Sequence, residues 1–545
     1  VHMPPDETYN SAGSPACTRH ITDNYTEKDL APEALMLYGI GDGGGGPGEA
    51  HIELVSRQGS LEGSPQVLPG TAIDFFEKLN NHKTKLPVYQ GELYLEKHQG
   101  TYTTQAANKK YNRLCEYALQ DLETLSTLAW YQGYSYPKGK LDTWWKEVLL
   151  YQFHDIIPGS SIKRVYDESC SRYKIILEEI NQQKKEVLDF LCNEKDQVDG
   201  GYGEHGVYFN PTAFSRREYL KEKNQWKAVN IAPYSFAVGE DLEEDGASWV
   251  QAGEKTIENS HLKITFAPDG SISSALLNEE GFEFAKDNLN VLRLYKDKWL
   301  YYNAWDIDWK YHQKPNIILK AHKQESFVDG PKVVWRNHYQ HGRTTIVQDV
   351  VLYANCPVVY FDTHVDMHET FKMLRADFDV NLYSKEVLCD IQMGSIRRST
   401  GDTTNEEKAQ FEICAHKYVA LTEKGHSAAL INNGKYGHRV KGNRISLNLL
   451  RTPVYPDRKA DRGKHHFIYG LHLHKGETDV ETLAYSYALN KPLIKVDEIK
   501  KTVIKSTGIK ITGTAQNRPI VQTTNPNVVV ETIKVAWEED GVILR

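Results

Sequence analysis

The sequence predicts a multidomain protein of the α+β class, because three residue patterns follow one another along the chain. Residues 1–96 alternate between segments typical of strands and of helices. Residues 97–195 repeat apolar side chains at helical spacing, and residues 196–545 consist of short alternating segments separated by turns. At about 150 residues per domain, a chain of 545 residues is expected to form three or four folded units.

Composition excludes several classes of protein. With 65 Lys and Arg against 73 Asp and Glu, the net charge of −8 argues against a nucleic-acid partner. No apolar run approaches the roughly 18 residues of a membrane span, so we expect no membrane partner. The seven cysteines are scattered without a C-x-x-C pair, and no basic-then-apolar signal segment is present. These features predict a cytoplasmic protein with reduced thiols.

Residues 1–96 resemble strand–helix alternation. Residues 34–40 form a continuous apolar run, as expected for a strand covered on both faces. Helices are predicted over 49–57 and from the capping residue Thr71, and a second strand over 86–96. About 95 residues of this kind supply only part of a barrel or of a doubly wound sheet.

Residues 97–195 predict a three-helix bundle. Three stripes of apolar side chains recur three and four positions apart. They comprise Tyr111, Leu114, Ala118, Leu122, Leu125 and Ala129; then Leu141, Trp144, Trp145, Val148 and Leu149; then Ile162, Val165, Tyr166, Tyr173, Ile176, Ile180, Val187 and Leu191.

The remaining residues predict β structure. A Pro-Asp-Gly turn joins the alternating segments 262–266 and 271–277, which predicts a hairpin. We expect a small β domain over 196–250 and a large β-sandwich over 251–545. Further strands are predicted at 344–353, 358–365, 428–431 and 445–450.

A glycine loop at residues 39–48 is the first candidate site. Gly39, Gly41 and Gly44 satisfy G-x-G-x-x-G, but Pro47 and the missing acidic residue further on argue against a dinucleotide site. No Lys-Ser/Thr pair follows, so the loop is not a P-loop. A structural turn is the plain alternative, and it leaves the lone carboxylate of Asp42 unexplained.

The loop at residues 152–161 is the second candidate site. His154 is able to bind a metal through its imidazole, and Asp155 a substrate hydroxyl through its carboxylate. The simpler interpretation is that both residues cap the flanking helices. One histidine cannot make a zinc site, which needs three or four ligands.

Three other groups of residues are weaker candidates. His472 and His474 have a spacing found in metal sites, but a pair of structural strand histidines explains them more simply. His465 and His466 are expected in a surface loop. The segment 305–309 interleaves aromatic and acidic residues as sugar-binding surfaces do, although strand packing explains it equally well.

Several longer segments of the chain form a specific series of motifs. In chain order they are GDGGGGP, GELYLEKHQGTYTTQAANKK, QFHDIIPGSSI, AWDIDW, FEICAHKYV, NNGKYGHRVKGNRISLNLLRTPVYPD and HHFIYGLHLH. This series resembles family 38 of the glycoside hydrolases, the retaining α-mannosidases, in its bacterial and cytosolic branch. The family architecture is a catalytic β/α barrel, a three-helix bundle and C-terminal β-sandwiches, so the resemblance identifies residues 1–96 with the C-terminal part of the barrel.

The resemblance implies a mechanism and a cofactor. Family members hold one Zn²⁺ with two histidines and two aspartates; one of these aspartates is the nucleophile, and another carboxylate is the acid/base. Retaining chemistry places the two catalytic carboxyl groups roughly 5–5.5 Å apart. His154 matches the last zinc ligand, Asp155 a substrate-binding carboxylate and Asp42 the acid/base. We also expect Gly43, Gly44 and Tyr102 to bind substrate.

One part of the family pattern is missing. The first His-x-Asp zinc pair and the nucleophile lie upstream of the segment that residues 3–11 resemble, so the chain is interpreted as an N-terminally truncated enzyme. We expect the parent enzyme to hydrolyse terminal α-D-mannosidic bonds of mannose-containing oligosaccharides, and this chain to be inactive alone. The alternatives are a non-catalytic carbohydrate-binding protein and an NAD(P)-dependent oxidoreductase, and homo-oligomerisation stays open.

Overall fold

The structure is a computed structural model that describes residues 2–192, 206–222, 224–237, 242–244, 249–299, 301–478, 480–496, 519–521, 523–525 and 527–545. The chain divides into two compact units, Val1–Leu93 and Tyr94–Arg545. None of the helices in the described ranges is both long and apolar enough to cross a membrane. The division into four domains stays a prediction.

The first unit consists of helices and loops. Its helices are α1 (Pro15–Asn24), α2 (Glu49–Arg57) and α3 (Ala72–Asn80). The predictions of α2 and α3 are confirmed. At the start of α3, the Thr71 hydroxyl accepts the Asp74 amide and the Asp74 carboxylate accepts the Thr71 amide, each at 3.2 Å. This reciprocal cap is the local signal that made α3 predictable.

The two strands predicted in this region are wrong. Around residues 34–40 only single-residue bridges form, Ser11 with Tyr38 and Ile40 with Gly45. Within 86–96 the backbone forms no ladder, and Val88 and Leu93 are exposed. A strand needs a neighbour for its N–H and C=O groups, and among residues 2–93 no described segment supplies one. The barrel assignment therefore stays a prediction.

Three helices form in the region where the three-helix bundle is predicted. They are α4 (Ala106–Trp130), α5 (Lys138–Leu150) and α6 (Lys163–Cys192). Three residues predicted as core, Leu114, Leu149 and Ile162, are exposed instead. Leu149 lies in the last turn of α5, and Ile162 lies just before α6. At such positions the periodic apolar pattern of the sequence continues beyond the part of the helix that is buried. The buried core includes Leu119, Leu122, Leu125, Val148, Tyr173, Ile176 and Ile180.

The rest of the second unit is mainly β structure with two helices, α7 (Asn405–Ala409) and α8 (Val480–Asn490). The strands are β1 (Val207–Phe209), β2 (Arg216–Glu222), β3 (Gln225–Ile231), β4 (Phe236–Ala237), β5 (Leu242–Glu244), β6 (Val250–Ala252), β7 (Thr256–Asn259), β8 (Leu262–Phe266), β9 (Ile272–Leu277), β10 (Phe282–Glu283), β11 (Val291–Lys296), β12 (Ile317–Ile318), β13 (Ala321–Asp329), β14 (Lys332–His341), β15 (Thr344–Tyr353), β16 (Val358–Met367), β17 (Lys372–Asp379), β18 (Glu386–Ile391), β19 (Gly394–Ser399), β20 (Ile413–Cys414), β21 (Tyr418–Glu423), β22 (His426–Asn432), β23 (Gly437–Lys441), β24 (Arg444–Arg451), β25 (Gly463–Lys475), β26 (Ile494–Val496), β27 (Ile533–Val535) and β28 (Val542–Leu544).

Three antiparallel sheets pack around one hydrophobic core. Their strand orders are β10-β9-β8-β7-β6, β12-β11-β17-β24-β23-β20 and β13-β14-β15-β16-β25-β22-β21-β18-β19. The predicted hairpin is confirmed, with Leu262 opposite Leu277 and Ile264 opposite Ala275. The four further strands predicted correspond to β15, β16, β22 and β24. Smaller sheets have the orders β26-β1-β4, β2-β3-β5 and β27-β28.

Candidate functional site

His154 and Asp155 lie in the loop between α5 and α6. Their side chains are 78% and 51% exposed, and His154 Nε2 lies 3.9 Å from Asp155 Oδ2. Ser160 donates to Asp155 Oδ1 at 3.0 Å, and Ser161 donates to the Asp155 carbonyl at 2.7 Å. The Asp155 backbone and one carboxylate oxygen are therefore fixed, while both polar side chains face solvent.

Buried polar groups of α4 hold the backbone of this loop. The Lys109 ammonium donates to the carbonyls of Thr104 (2.5 Å), Ile157 (2.8 Å) and Pro158 (3.1 Å). Burial lowers the pKa of Lys109 to about 7, and the negative charge of Asp461 opposes that shift. A buried charge is stable only when it is paired or hydrogen-bonded, so this lysine ties the loop to the start of α4.

Gly159 permits the close approach of the loop to α4. Its φ of +94° lies in the region that favours glycine. A Cβ at this position would overlap the Thr104 carbonyl. Any other residue would push the loop away from the backbone that Lys109 binds.

A distant carboxylate caps the start of α4. Asp461 accepts hydrogen bonds from the backbone amides of Gln105 (2.8 Å) and Ala106 (2.7 Å). Gln105 has a φ of 61°, and its side chain donates to Asp457 at 2.8 Å. The first turn of α4 is therefore held by a loop about 350 residues later in the chain.

Arg451 joins two more of the segments that resemble the family to the same turn. This fully buried guanidinium pairs with Asp297 at 2.5 Å and donates to the Thr104 hydroxyl at 3.0 Å. It also donates to the Ala304 carbonyl at 3.1 Å. The segment AWDIDW, which begins at Ala304, therefore packs on the residues that support the 152–161 loop.

Tyr102 lies in a short 3₁₀ turn, Gln99–Tyr102, beside the same network. The Gln99 amide oxygen accepts the Glu412 amide at 2.8 Å, which brings the segment FEICAHKYV to this turn. Burial raises the pKa of Tyr102 to about 12. The side chain is half-buried among these groups, and its contact with substrate stays a prediction.

The glycine loop lies in the first unit. The Tyr9 hydroxyl donates to Asp42 Oδ1 at 2.6 Å, and this hydrogen bond raises the pKa of Tyr9. Gly44, with a φ of +69°, closes a turn in which its amide donates to the Gly41 carbonyl at 3.0 Å. Gly43 and Gly44 are exposed. No strand precedes the loop, so the structural context of a dinucleotide motif is missing here.

The other predicted histidines have structural partners. His472 and His474 stack with ring centroids 4.1 Å apart, and His472 Nδ1 lies 2.9 Å from the Thr482 hydroxyl. His465 is half-buried, and burial lowers the pKa of its imidazole to about 4. The prediction of a loop at 465–466 is wrong, because both residues belong to β25, whereas the predicted exposure holds for His466.

The residues present do not complete a zinc site at His154. His154 and Asp155 supply two donors, and no third histidine, cysteine or carboxylate in the described ranges joins them in a cluster. The only group of three such ligands found in those ranges is Asp362, His364 and His466. No local sequence pattern predicts the roles of Lys109 and Asp461, because these roles depend on contacts between distant segments.

Comparison with known proteins gives consistent matches. Family models for glycosyl hydrolases family 38 match at residues 1–92 (N-terminal domain) and 257–459 (C-terminal domain), and the alpha mannosidase middle domain matches 96–191. Alpha-mannosidase 2C1 of Homo sapiens is 31% identical, over 98% of this chain and 52% of its own length. Alpha-mannosidase G of Dictyostelium discoideum is 29% identical, over 100% of this chain and 55% of its own length.

A solved structure shares the fold. The crystal structure of an alpha-mannosidase from Enterococcus faecalis V583 aligns with a TM-score of 0.73 and 14% identity, covering 98% of this chain and 73% of that one. The chain spans about half the length of the curated relatives it matches. On the family models and these relatives together, the chain belongs to family 38 of the glycosyl hydrolases.

Proposed function

We propose that this chain forms part of an enzyme that hydrolyses terminal α-D-mannosidic bonds with retention of configuration. Support comes from its family and from relatives named alpha-mannosidases. We infer that the substrates are mannose-containing oligosaccharides and that the protein acts in the cytoplasm.

The loop that presents His154 and Asp155 carries the proposal. Both side chains are exposed, whereas Lys109 and Ser161 fix the backbone beneath them. A rigid backbone under free polar side chains suits a site that must bind sugar hydroxyls in one orientation. Of the two carboxylate oxygens of Asp155, Ser160 donates to Oδ1, and we assign Oδ2 to accept a hydroxyl of the mannose ring.

Asp42 is assigned the role of acid/base. In retaining hydrolysis this carboxyl group protonates the leaving oxygen and then takes a proton from the attacking water, while a second carboxylate acts as nucleophile. The Tyr9 hydroxyl hydrogen-bonds Asp42 Oδ1, which orients the carboxyl group. Gly43 and Gly44 have no side chains, so a sugar ring is able to approach the loop backbone closely.

We propose that the 545-residue chain has no turnover by itself. Among the residues matching the family pattern, His154 is the one zinc ligand, and none matches the nucleophile. Because His154 and Asp155 alone do not complete a zinc site in the described ranges, no step of the mechanism is assigned to the metal.

The experiment compares two proteins on aryl α- and β-mannosides with added Zn²⁺. The first is the purified chain, for which we expect no turnover. The second is a fusion that adds the His-x-Asp pair and the nucleophile segment of a family member, for which we expect turnover of the α-anomer alone. Turnover by the chain alone, or an active fusion unaffected by His154→Gln, would refute the assignment.

A non-catalytic carbohydrate-binding protein is the second candidate. Tyr302, Trp305 and Tyr455 form a group of aromatic rings, with centroids 5.7 Å and 6.4 Å apart along the series, and both tyrosines are exposed. Titration with mannose distinguishes the two functions. Binding that persists without metal and survives Asp155→Ala would favour the second.

A further inference from the structure

Two neighbouring strands of the nine-stranded sheet place three metal-binding side chains together. His364 of β16 lies directly opposite His466 of β25. Asp362 precedes His364 by two positions, so both side chains point to the same face of the sheet. This cluster shares no residue with either the glycine loop or the 152–161 loop.

The ligand atoms of the cluster converge. Asp362 Oδ1 lies 2.7 Å from His466 Nε2 and 3.7 Å from His364 Nε2. The two imidazole rings stack with centroids 4.2 Å apart and planes 10° apart. One ligand atom from each residue lies within 4.8 Å of the other two.

A metal ion would require only small side-chain movements. With metal–ligand bonds of about 2.0–2.2 Å in a tetrahedron, two ligand atoms lie roughly 3.4 Å apart. His364 and His466 are 63% and 44% exposed, so their rings are free to adjust. Ladder hydrogen bonds on both sides hold β16 and β25 themselves in place.

The charges around the cluster are compatible with the binding of a cation. Asp362 contributes a carboxylate, and the neighbouring Arg336 is already paired with Asp349 through two hydrogen bonds of 2.6 and 2.7 Å. The Lys110 ammonium donates to the His466 carbonyl at 2.6 Å rather than to the carboxylate. Because Lys110 still acts electrostatically on Asp362, we expect moderate rather than tight affinity.

We propose that Asp362, His364 and His466 bind one divalent transition-metal ion such as Zn²⁺, with water completing the coordination. Two imidazoles and one carboxylate are a donor set that suits Zn²⁺, Cu²⁺ and Ni²⁺ rather than Mg²⁺ or Ca²⁺. The bound ion would link the two central strands of the sheet.

Calorimetric titration of the full chain with Zn²⁺ tests the proposal. We expect one ion per chain at this site. His364→Gln, His466→Gln and Asp362→Asn should each weaken binding by more than about tenfold, since loss of outer-shell partners alone typically costs that much. His322→Gln, at an exposed histidine of β13 in the same sheet, is the matched control and should leave the affinity unchanged.

Thermal unfolding in the presence of Zn²⁺ provides a second test that does not depend on the calorimetric titration. Zn²⁺ should raise the unfolding temperature of the wild-type chain and of His322→Gln, but not that of the His364→Gln/His466→Gln double variant. Absence of stoichiometric binding, unchanged affinity in the three cluster variants, or loss of binding in His322→Gln would each overturn the proposal. Failure of the proposed mannosidase function would leave these results unaffected.

Discussion

Lys109 is the residue on which the position of the 152–161 loop depends. Lys109→Met leaves the carbonyls of Thr104, Ile157 and Pro158 without their shared donor. We expect the free energy of unfolding to fall by about 1–3 kcal/mol, and amide exchange at residues 156–161 to accelerate. Hydrogen-exchange mass spectrometry measures the second effect.

The control for this prediction is Lys491→Met, which removes a buried ammonium that pairs with Asp121 at 2.9 Å on another part of α4. It should lower stability without accelerating exchange at 156–161. Equal exchange in both variants would contradict the role of Lys109.

Gly159 is the second residue that sets the loop conformation. Gly159→Ala places a Cβ against the Thr104 carbonyl at a φ of +94°. We expect the free energy of unfolding to fall by about 2 kcal/mol or more, because both backbone strain and steric overlap oppose the substitution. Gly139→Ala, in α5 with open space around it, should be neutral or stabilising by up to about 1 kcal/mol. Similar unfolding midpoints for the two variants would count against this account.

His438 makes stability depend on pH. Burial lowers its pKa from the ordinary 6.5 to about 4, so the unfolded chain binds the proton more tightly. The contribution of neutral His438 to the free energy of unfolding is therefore complete above pH 6.5 and is lost as the pH falls towards 4. The difference in unfolding free energy between wild type and His438→Gln should shrink over that window, by at most about 1.4 kcal/mol per pH unit. A constant difference would show that His438 is not buried as a neutral group.

At the scale of elements, the N-terminus of α4 depends on a carboxylate supplied from far along the chain. Asp461→Asn keeps one acceptor for the amides of Gln105 and Ala106 but turns an N–H group towards the other. We expect the free energy of unfolding to fall by about 1–2 kcal/mol and the hydrogen exchange of these amides to accelerate. Thr71→Ala, which removes the cap of α3, should leave α4 exchange unchanged; an effect of equal size on α4 would contradict the assignment.

Local signals explain which elements could be predicted. Helix α3 carries its cap at Thr71, and the β8–β9 hairpin carries its own turn and alternation, so both follow from adjacent residues. Residues 34–40 have the apolar character of a buried strand, but no partner strand lies beside them in the described part of the first unit. The apolar pattern predicted both burial and strand pairing incorrectly here, since Leu37 and Ile40 are exposed. Burial and pairing depend on neighbouring segments rather than on local sequence.

The residues of the candidate site also divide into those that a local pattern predicts and those that depend on contacts with distant segments. His154 and Asp155 were predictable because a polar pair between two helical patterns stands out in the sequence. Lys109 was not, because its periodic position within α4 is indistinguishable from that of a solvated lysine until the loop is in place. Asp461 lies about 350 residues from the helix it caps, and no spacing rule reaches that far.

At the scale of the whole molecule, separate segments of the second unit converge on one turn. Residues 99–106 form hydrogen bonds with the segments around Ala304, Glu412, Arg451 and Asp461. Loops of the β region, together with Arg451 of β24, therefore hold the start of α4, and Lys109 of α4 in turn holds the loop that carries His154 and Asp155.

We propose above all that this loop binds the mannose ring of the substrate. The most direct test is kcat/KM on an aryl α-mannoside for the catalytically complete fusion, comparing Asp155→Asn with Asp142→Asn. Asp142 is a carboxylate on α5 that pairs with Lys146 at 2.7 Å. We predict a loss of at least about a hundredfold for Asp155→Asn, since a charge-assisted contact to a sugar hydroxyl is removed, and none for Asp142→Asn. Equal activity of the two variants would contradict the claim.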